Sequence, residues 1–439
     1  MKHAHQVHRD RREAVLRTMR ENGGGGLAVV PTAPEVPRNR DSYYPYRHDS
    51  YFYYLSGFPE PEAVVALVAG PDGDRHVLFC RDKNEEREIW DGFRYGPEAA
   101  KDIFGFDEAH PIGEMPARLA DLAADRPALY TPVGLFEQWD RQVTTLLNEV
   151  RARIRTGVAA PDAIVDIRGT LDAQRLVKDA HEIALMRRAA EISSRAHARA
   201  MERTRPGWYE YMVEAELLHE FLRHGAQSVA YSSIVASGPN ACVLHYRENN
   251  RMMADGELLL IDAGCEYQGY ASDITRTFPV NGRFSGPQKA IYELVLAAQL
   301  ACLDAVKPGL PFHDYHKAAE RVLAQGLIDL KLIDGPLDAA LETGSYKRFY
   351  MHRAGHWLGM DVHDAGLYQV KGESMKLEPG MVLTVEPGLY IRSGDDIAEA
   401  FHNIGVRIED DVLVTPQGYE NLTAATPKTV ADVESACMR

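Results

Sequence analysis

The 439-residue sequence lacks long hydrophobic runs, and its longest apolar stretches, such as residues 63–69, are too short to span a bilayer. Residues 1–22 are charged throughout and lack the apolar core of a signal peptide. These absences argue against a transmembrane protein and against export by an ordinary signal peptide. We therefore expect a cytoplasmic protein with no membrane partner.

Cysteine and positive charge are also scarce. The five cysteines are odd in number, scattered and free of any CxxC spacing, which indicates buried thiols in a reducing compartment and excludes a zinc knuckle. Lysine and arginine number 49 against 64 aspartates and glutamates, so the net charge is −15. Because no basic stripe offsets this acidity, we expect no nucleic-acid partner.

The length and the hydrophobic content of 45% predict a globular chain of at least two domains. In the first part of the chain, strand-like runs at 63–68 and 76–80 precede helical patterns at 115–124 and 136–150. This mixture predicts an α/β domain.

Two long helices are predicted to open the second part of the chain. Residues 179–202 and 209–224 both carry apolar side chains at helical period. We place the domain boundary near Arg168, which gives an N-terminal domain of residues 1–168 and a C-terminal domain of residues 169–439.

Two aspartates flank a predicted hairpin. The apolar run 258–261 ends at Asp262, and a second strand is predicted over 270–280. A tight turn centred on residues 267–268 would place Asp262 opposite Asp273. Facing carboxylates destabilise a sheet, so either one aspartate is exposed at a strand end or a metal ion lies between the two.

Two glutamates follow apolar strands in the same way. Glu386 comes after the strand predicted over 381–385, and Glu409 after the strand predicted over 406–408. An alternative for the second site is an ordinary salt bridge between Arg407 and a neighbouring acid. The metal hypothesis therefore depends on the four acids together and not on any one of them.

Three histidines, His352, His356 and His363, lie between the two acidic pairs. A spacing of four puts the first two on one face of either a helix or a strand, and the third comes from the following turn. Four converging carboxylates cannot all stay ionised without cations between them. Oxygen ligands with one imidazole favour two divalent ions, Mn²⁺ first and then Co²⁺, Zn²⁺ or Fe²⁺. The pattern indicates a dinuclear metallohydrolase.

The chain resembles a known family in the order and setting of five ligands. These residues are similar to the metal ligands of the pita-bread metallopeptidases, which include methionine aminopeptidase, prolidase and aminopeptidase P: Asp262, Asp273, His356, Glu386 and Glu409. Segments 38–47, 53–63 and 88–92 resemble the N-terminal domain of aminopeptidase P. Creatinase shares the fold but lacks the ligands, which disfavours that branch. One departure from the family pattern is Arg353-Ala354.

The resemblance implies an α+β fold, with a C-terminal pita-bread (creatinase/aminopeptidase-like) catalytic domain preceded by a smaller α/β domain. It implies that Asp273 and Glu409 bridge two metal ions, that Asp262 completes one ion, and that His356 and Glu386 complete the other. A metal-bridging hydroxide would attack the scissile carbonyl, with Glu386 taking the proton of the attacking water.

The remaining roles are also implied by the resemblance. His363 would stabilise the oxyanion, while His245 and His352 would position the substrate. Tyr390 and Arg407 would orient Asp262 and the neighbouring acids.

The implied substrate is a peptide with proline in second position, cleaved at its Xaa-Pro bond. Trp90 is a candidate for substrate contact, and in relatives its segment reaches into a neighbouring subunit's site, so a homo-oligomer, dimer or tetramer, is expected. Two alternatives remain, namely an Xaa-Pro dipeptidase (prolidase) and a non-catalytic protein-binding relative.

Overall fold

The computed structural model describes residues 2–71 and 73–438, which divide into two compact units, Met1–Gln174 and Arg175–Arg439. Arg168, where the sequence places a boundary, begins the helix Arg168–Leu176, and the division between the units falls inside that helix. No helix in the described part of the chain is both long and apolar enough to cross a bilayer.

The first unit is built on a six-stranded mixed sheet of order β6-β5-β4-β1-β7-β8, beside a small β2-β3 ribbon. Its strands are β1 (Gly26–Pro31), β2 (Pro37–Asn39), β3 (Ser42–Tyr43), β4 (Val64–Gly70), β5 (Gly73–Cys80), β6 (Glu108–Pro111), β7 (Ala128–Thr131) and β8 (Ala163–Asp166). Its helices are α1 (Lys2–Gly23), α2 (Ser50–Ser56), α3 (Glu85–Asp91), α4 (Gly96–Phe104), α5 (Met115–Ala123), α6 (Glu137–Arg151) and α7 (Arg168–Leu176).

Helices α5 and α6 cover one face of this sheet. Leu119 and Leu146 from the helices pack with Leu27, Val29 and Ala66 from the sheet in one apolar cluster. The two helices lie within one residue of the ranges predicted from their helical period. The α/β prediction for the N-terminal part is therefore confirmed.

The second unit combines long helices with several short antiparallel sheets. Its helices are α8 (Ala180–Arg203), α9 (Glu210–Arg223), α10 (Gly286–Ala305), α11 (Asp314–Asp329), α12 (Leu337–Thr343) and α13 (Val430–Cys437). Its strands are β9 (Ser228–Val229), β10 (Ile234–Ser237), β11 (Leu258–Asp262), β12 (Cys265–Tyr267), β13 (Tyr270–Ala271), β14 (Thr275–Pro279), β15 (Gln369–Val370), β16 (Glu373–Ser374), β17 (Val382–Val385), β18 (Gly388–Ile391), β19 (Ile404–Arg407), β20 (Asp410–Thr415) and β21 (Gly418–Asn421).

The sheets of this unit are β10-β11-β14, β9-β12-β13, β17-β20-β21, β18-β19 and β15-β16. A continuous apolar core joins the buried faces of α8 to α11 to β11, β17, β19 and β20. Asp179 caps the start of helix α8. Its side chain accepts from the backbone amides of His181 and Glu182, and the Glu182 side chain accepts from the backbone amide of Asp179. Strands β11, β17, β19 and β20 reach the cavity described below.

The predicted hairpin register is wrong by two residues. Asp262 pairs with Thr275 and not with Asp273. The turn is centred one residue later than predicted, on Gln268 and Gly269, whose φ angles of 49° and 81° both lie in the left-handed region that a two-residue hairpin turn requires. The predicted strand 270–280 is also interrupted, and Asp273 lies in the break between β13 and β14.

Candidate metal centre

The five predicted ligands line one cavity of about 540 Å³ in the second unit. They reach it from the end of β11, from the break before β14, from the irregular segment 352–364, from the end of β17 and from the junction of β19 with β20, in the order Asp262, Asp273, His356, Glu386 and Glu409. His245, His352, His363 and Arg407 line the same cavity. Trp90 does not; it lies on α3 of the first unit with 84% of its surface exposed.

His356 presents one ring nitrogen to the acids. Its Nδ1 lies 2.9 Å from the carbonyl oxygen of Trp357, and because a carbonyl only accepts, Nδ1 carries the proton. Nε2 therefore faces the carboxylates, 3.5 Å from Asp273 Oδ2 and 3.7 Å from Glu386 Oε1. A ligating histidine in proteins is commonly fixed in this way through its other nitrogen.

The acids carry more negative charge than their buried setting tolerates. Burial, followed by the charge of Asp262, raises the pKa of Asp273, and burial followed by Asp273 raises that of Glu409 well above its usual range. Burial raises the pKa of Glu386 to about 7. Burial lowers the pKa of His356, but the hydrogen bond to Asp273 and the neighbouring acids outweigh it and raise the value to about 9.

This donor set fits divalent cations. Asp273, His356 and Glu409 each offer a ligand atom, and these atoms lie within 4.8 Å of one another. Buried carboxylates that repel each other are stabilised when a cation lies between them, and several oxygens with one imidazole suit hard or borderline metals.

Arg407 hydrogen-bonds to Asp262 and to two neighbouring side chains. Its Nη2 donates to Asp262 Oδ2 at 2.6 Å, its Nη1 to the Tyr390 hydroxyl at 2.8 Å and its Nε to Thr275 Oγ1 at 3.1 Å. Thr275 in turn donates to Glu409 Oε2 at 2.7 Å. The salt bridge that the sequence left open for Arg407 is thus made with a predicted ligand. One buried guanidinium thus fixes one predicted ligand directly and a second through Thr275.

Sequence reasoning missed Tyr231 and Asp411. The Tyr231 hydroxyl donates to Asp262 Oδ1 at 2.6 Å and also contacts Asp273 Oδ1. Both oxygens of Asp411 accept from the Asp273 amide at 3.2 Å. Asp411 could have been suspected from the acidic run that starts at Glu409, whereas Tyr231 belongs to no motif and lies 31 and 42 residues from its partners.

The histidines beside the ligands differ in their hydrogen bonding. His352 donates from Nδ1 to the carbonyl of Arg353 at 2.7 Å, so its Nε2 accepts from the Tyr390 hydroxyl at 2.9 Å. Burial, followed by the charge of Arg407, lowers the pKa of His352 to about 4, which keeps the ring neutral. The His363 ring lies 4.1 Å from that of His356, and burial followed by His356 lowers its pKa.

Comparisons with known proteins point to one family over nearly the whole chain. Residues 184–416 match the model of metallopeptidase family M24, and residues 8–130 match that of the aminopeptidase P N-terminal domain. The Xaa-Pro aminopeptidase of Escherichia coli K12 is 44% identical over 426 residues, which cover 97% of this chain and 96% of that protein.

Solved structures give the same result. An aminopeptidase of Pseudomonas aeruginosa is 50% identical with a TM-score of 0.97, covering 99% of this chain and 98% of that one. Aminopeptidase P of Escherichia coli with the inhibitor Pro-Leu is 43% identical with a TM-score of 0.95 and the same coverage.

Proposed function

Because the chain belongs to metallopeptidase family M24, we infer that it is an Xaa-Pro aminopeptidase, a metalloenzyme that removes the first residue of peptides with proline in second position. Its fold is the pita-bread fold of that family, preceded by an aminopeptidase P N-terminal domain. The observation that carries the function is the meeting of all five predicted ligands in one cavity of a chain that matches such an enzyme over 97% of its length. The intact ligand set argues against a non-catalytic relative.

We propose that the cavity binds two divalent cations, with Mn²⁺ as the first candidate. Asp273 and Glu409 would contact both ions, Asp262 one of them, and His356 with Glu386 the other. The clustering of Asp273, His356 and Glu409 within 4.8 Å supports this assignment. Bound divalent cations supply Lewis acidity, which polarises a peptide carbonyl and acidifies water.

The side chains that line the cavity have different roles in the proposed reaction. Glu386 is the proposed acceptor of the proton from the attacking water, because its carboxylate lines the cavity beside the other proposed ligands, 3.7 Å from His356 Nε2. His363, kept neutral near pH 7 by its lowered pKa, can donate a ring N–H to the developing oxyanion. His245 and His352 contribute to positioning the substrate at the same wall.

The site must recognise proline by steric fit and apolar contact, since the Xaa-Pro amide has no N–H to bind. Ile234, Leu244 and Val362 give the cavity apolar walls that suit a pyrrolidine ring.

We also propose a homo-oligomer, dimer or tetramer, and a cytoplasmic location. The exposed side chains of Ile89, Trp90 and Phe93 offer apolar surface that a second copy of the chain would cover. The free cysteines agree with a reducing compartment.

The test of function is hydrolysis of an Xaa-Pro-Xaa tripeptide and an Xaa-Pro dipeptide by purified protein, stripped with chelator and reloaded with Mn²⁺. Metal-dependent release of the first residue from the tripeptide is expected. Cleavage of the dipeptide alone would instead identify an Xaa-Pro dipeptidase, and cleavage of neither would refute the assignment.

A further inference from the structure

Two arginines line the proposed metal cavity, and within the described part of the chain no carboxylate pairs with either guanidinium. Arg247 and Arg353 are both exposed at its wall. Among the described residues, neither guanidinium forms a hydrogen bond or an ion pair. Two free guanidinium groups therefore face the same space as the proposed metal ligands.

The backbone holds Arg353 at this wall. Its carbonyl accepts from His352 Nδ1 at 2.7 Å, and the next amide, that of Ala354, donates to His316 Nδ1 at 3.2 Å. Ala354 is fully buried. The peptide group after Arg353 is thus fixed on both sides, while the Arg353 side chain stays exposed in the cavity.

Charge is distributed unevenly along the cavity. Its buried end is acidic, with Asp273 and Glu409 almost inaccessible to solvent, whereas its exposed wall carries Arg247 and Arg353. A peptide whose amino terminus lies beside the buried acids presents its downstream residues to the exposed wall. A negative group just after proline would meet these two arginines.

We propose that Arg247 and Arg353 select peptides that carry a carboxylate at the residue following proline. The carboxylate is either the C-terminus of a tripeptide or an acidic side chain at the third position, and a guanidinium binds both through the same paired N–H groups. The proposal rests on the Xaa-Pro aminopeptidase function inferred above. It also gives a role to Arg353, the departure from the family pattern in the sequence.

The experiment compares three substrates of the full-length, Mn²⁺-loaded protein. Ala-Pro-Ala has a C-terminal carboxylate, Ala-Pro-Ala amide has none, and Ala-Pro-Asp amide has only a side-chain carboxylate. The variants are Arg247→Ala, Arg353→Ala and Arg353→Lys. Arg321→Ala is the matched control, because Arg321 is an exposed arginine of α11 that does not line the cavity.

We expect the wild type to cleave at least one carboxylate substrate with a higher kcat/KM than the uncharged amide, mainly through KM. Each alanine variant should reduce that ratio by up to about fivefold, the upper end of the range for a solvent-exposed ion pair. Arg353→Lys should restore part of the preference, and added salt should weaken it. The substrate that shows the preference identifies the carboxylate source.

Equal kcat/KM values for the three peptides in the wild type would overturn the proposal, as would a preference unchanged in both alanine variants. Either outcome leaves the Xaa-Pro aminopeptidase function intact, since the peptides are still cleaved. Failure to cleave any of the three would refute that function and the proposal with it. Thermal unfolding of each variant separates lost recognition from lost folding.

Discussion

Replacing Tyr231 by phenylalanine should weaken metal binding while the fold persists. The hydroxyl contacts carboxylate oxygens of both Asp262 and Asp273, so its loss frees two proposed ligands at once. A hydrogen bond to a charged group contributes about 1.5–3 kcal/mol, and each 1.4 kcal/mol corresponds to about a factor of ten in affinity. The expected loss is therefore about 10- to 100-fold, the range typical for residues that orient metal ligands.

The assay is a titration of metal-free protein with Mn²⁺ in competition with a chelating indicator. Tyr292→Phe is the matched control, because this buried tyrosine donates to the carbonyl of Lys428 and lies outside the cavity. The two variants should lose similar thermal stability, but only Tyr231→Phe should lose affinity for the metal. Wild-type affinity and turnover in Tyr231→Phe would refute the idea that this hydroxyl orients the ligands.

Three further predictions concern the ligands and the neighbouring histidine. Asp273→Ala or Glu386→Ala should abolish turnover and lower the metal content measured by elemental analysis, and normal turnover by Asp273→Ala would contradict the two-metal hypothesis. His363→Ala should lower kcat while the metal content stays unchanged, because the proposed role of this histidine is to donate to the oxyanion and not to bind the ions. Metal-free protein should lose stability in denaturant titrations as the pH rises. The raised pKa of Glu386 should lower the free energy of unfolding by about 3 kcal/mol between about pH 4.5 and about pH 7, because the folded state keeps a proton there that the unfolded chain releases. The stabilisation from the raised pKa of His356 should disappear between about pH 6.5 and about pH 9. Reloading with Mn²⁺ should flatten this pH dependence, and a stability that rises with pH in the metal-free protein would contradict the charge analysis.

Features that depend on local periodicity were predictable from the sequence. Helices α6 and α8 appear within about a residue of their predicted ranges. Apolar residues at helical period mark the buried face of a helix, and this pattern can be read without knowing what the helix packs against. The same holds for the strand before Glu386, whose residues are all buried. An acid directly after a buried strand is a local pattern that needs no knowledge of the tertiary fold.

The hairpin register was not predictable in this way. Its turn needs two residues with positive φ, and Gln268 is not among the residues that usually adopt that conformation. The pairing of β11 with both β10 and β14, and the neighbouring Gly269, hold it there. Tyr231 was missed for a different reason. Its role arises only when distant segments meet, and a lone tyrosine in the sequence carries no sign of this.

The three hydrogen bonds of the Arg407 guanidinium have a consequence for which substitutions this site can accept. Asp262, Tyr390 and Thr275 each use a different nitrogen of one guanidinium. Lysine keeps the charge but has a single nitrogen, so it could replace only part of this arrangement. Substitutions at the four positions should therefore interact: with Arg407→Lys in place, losing Tyr390 or Thr275 should cost less than it does in the wild type. The cost does not vanish, because Tyr390 also bonds to His352 and Thr275 also donates to Glu409.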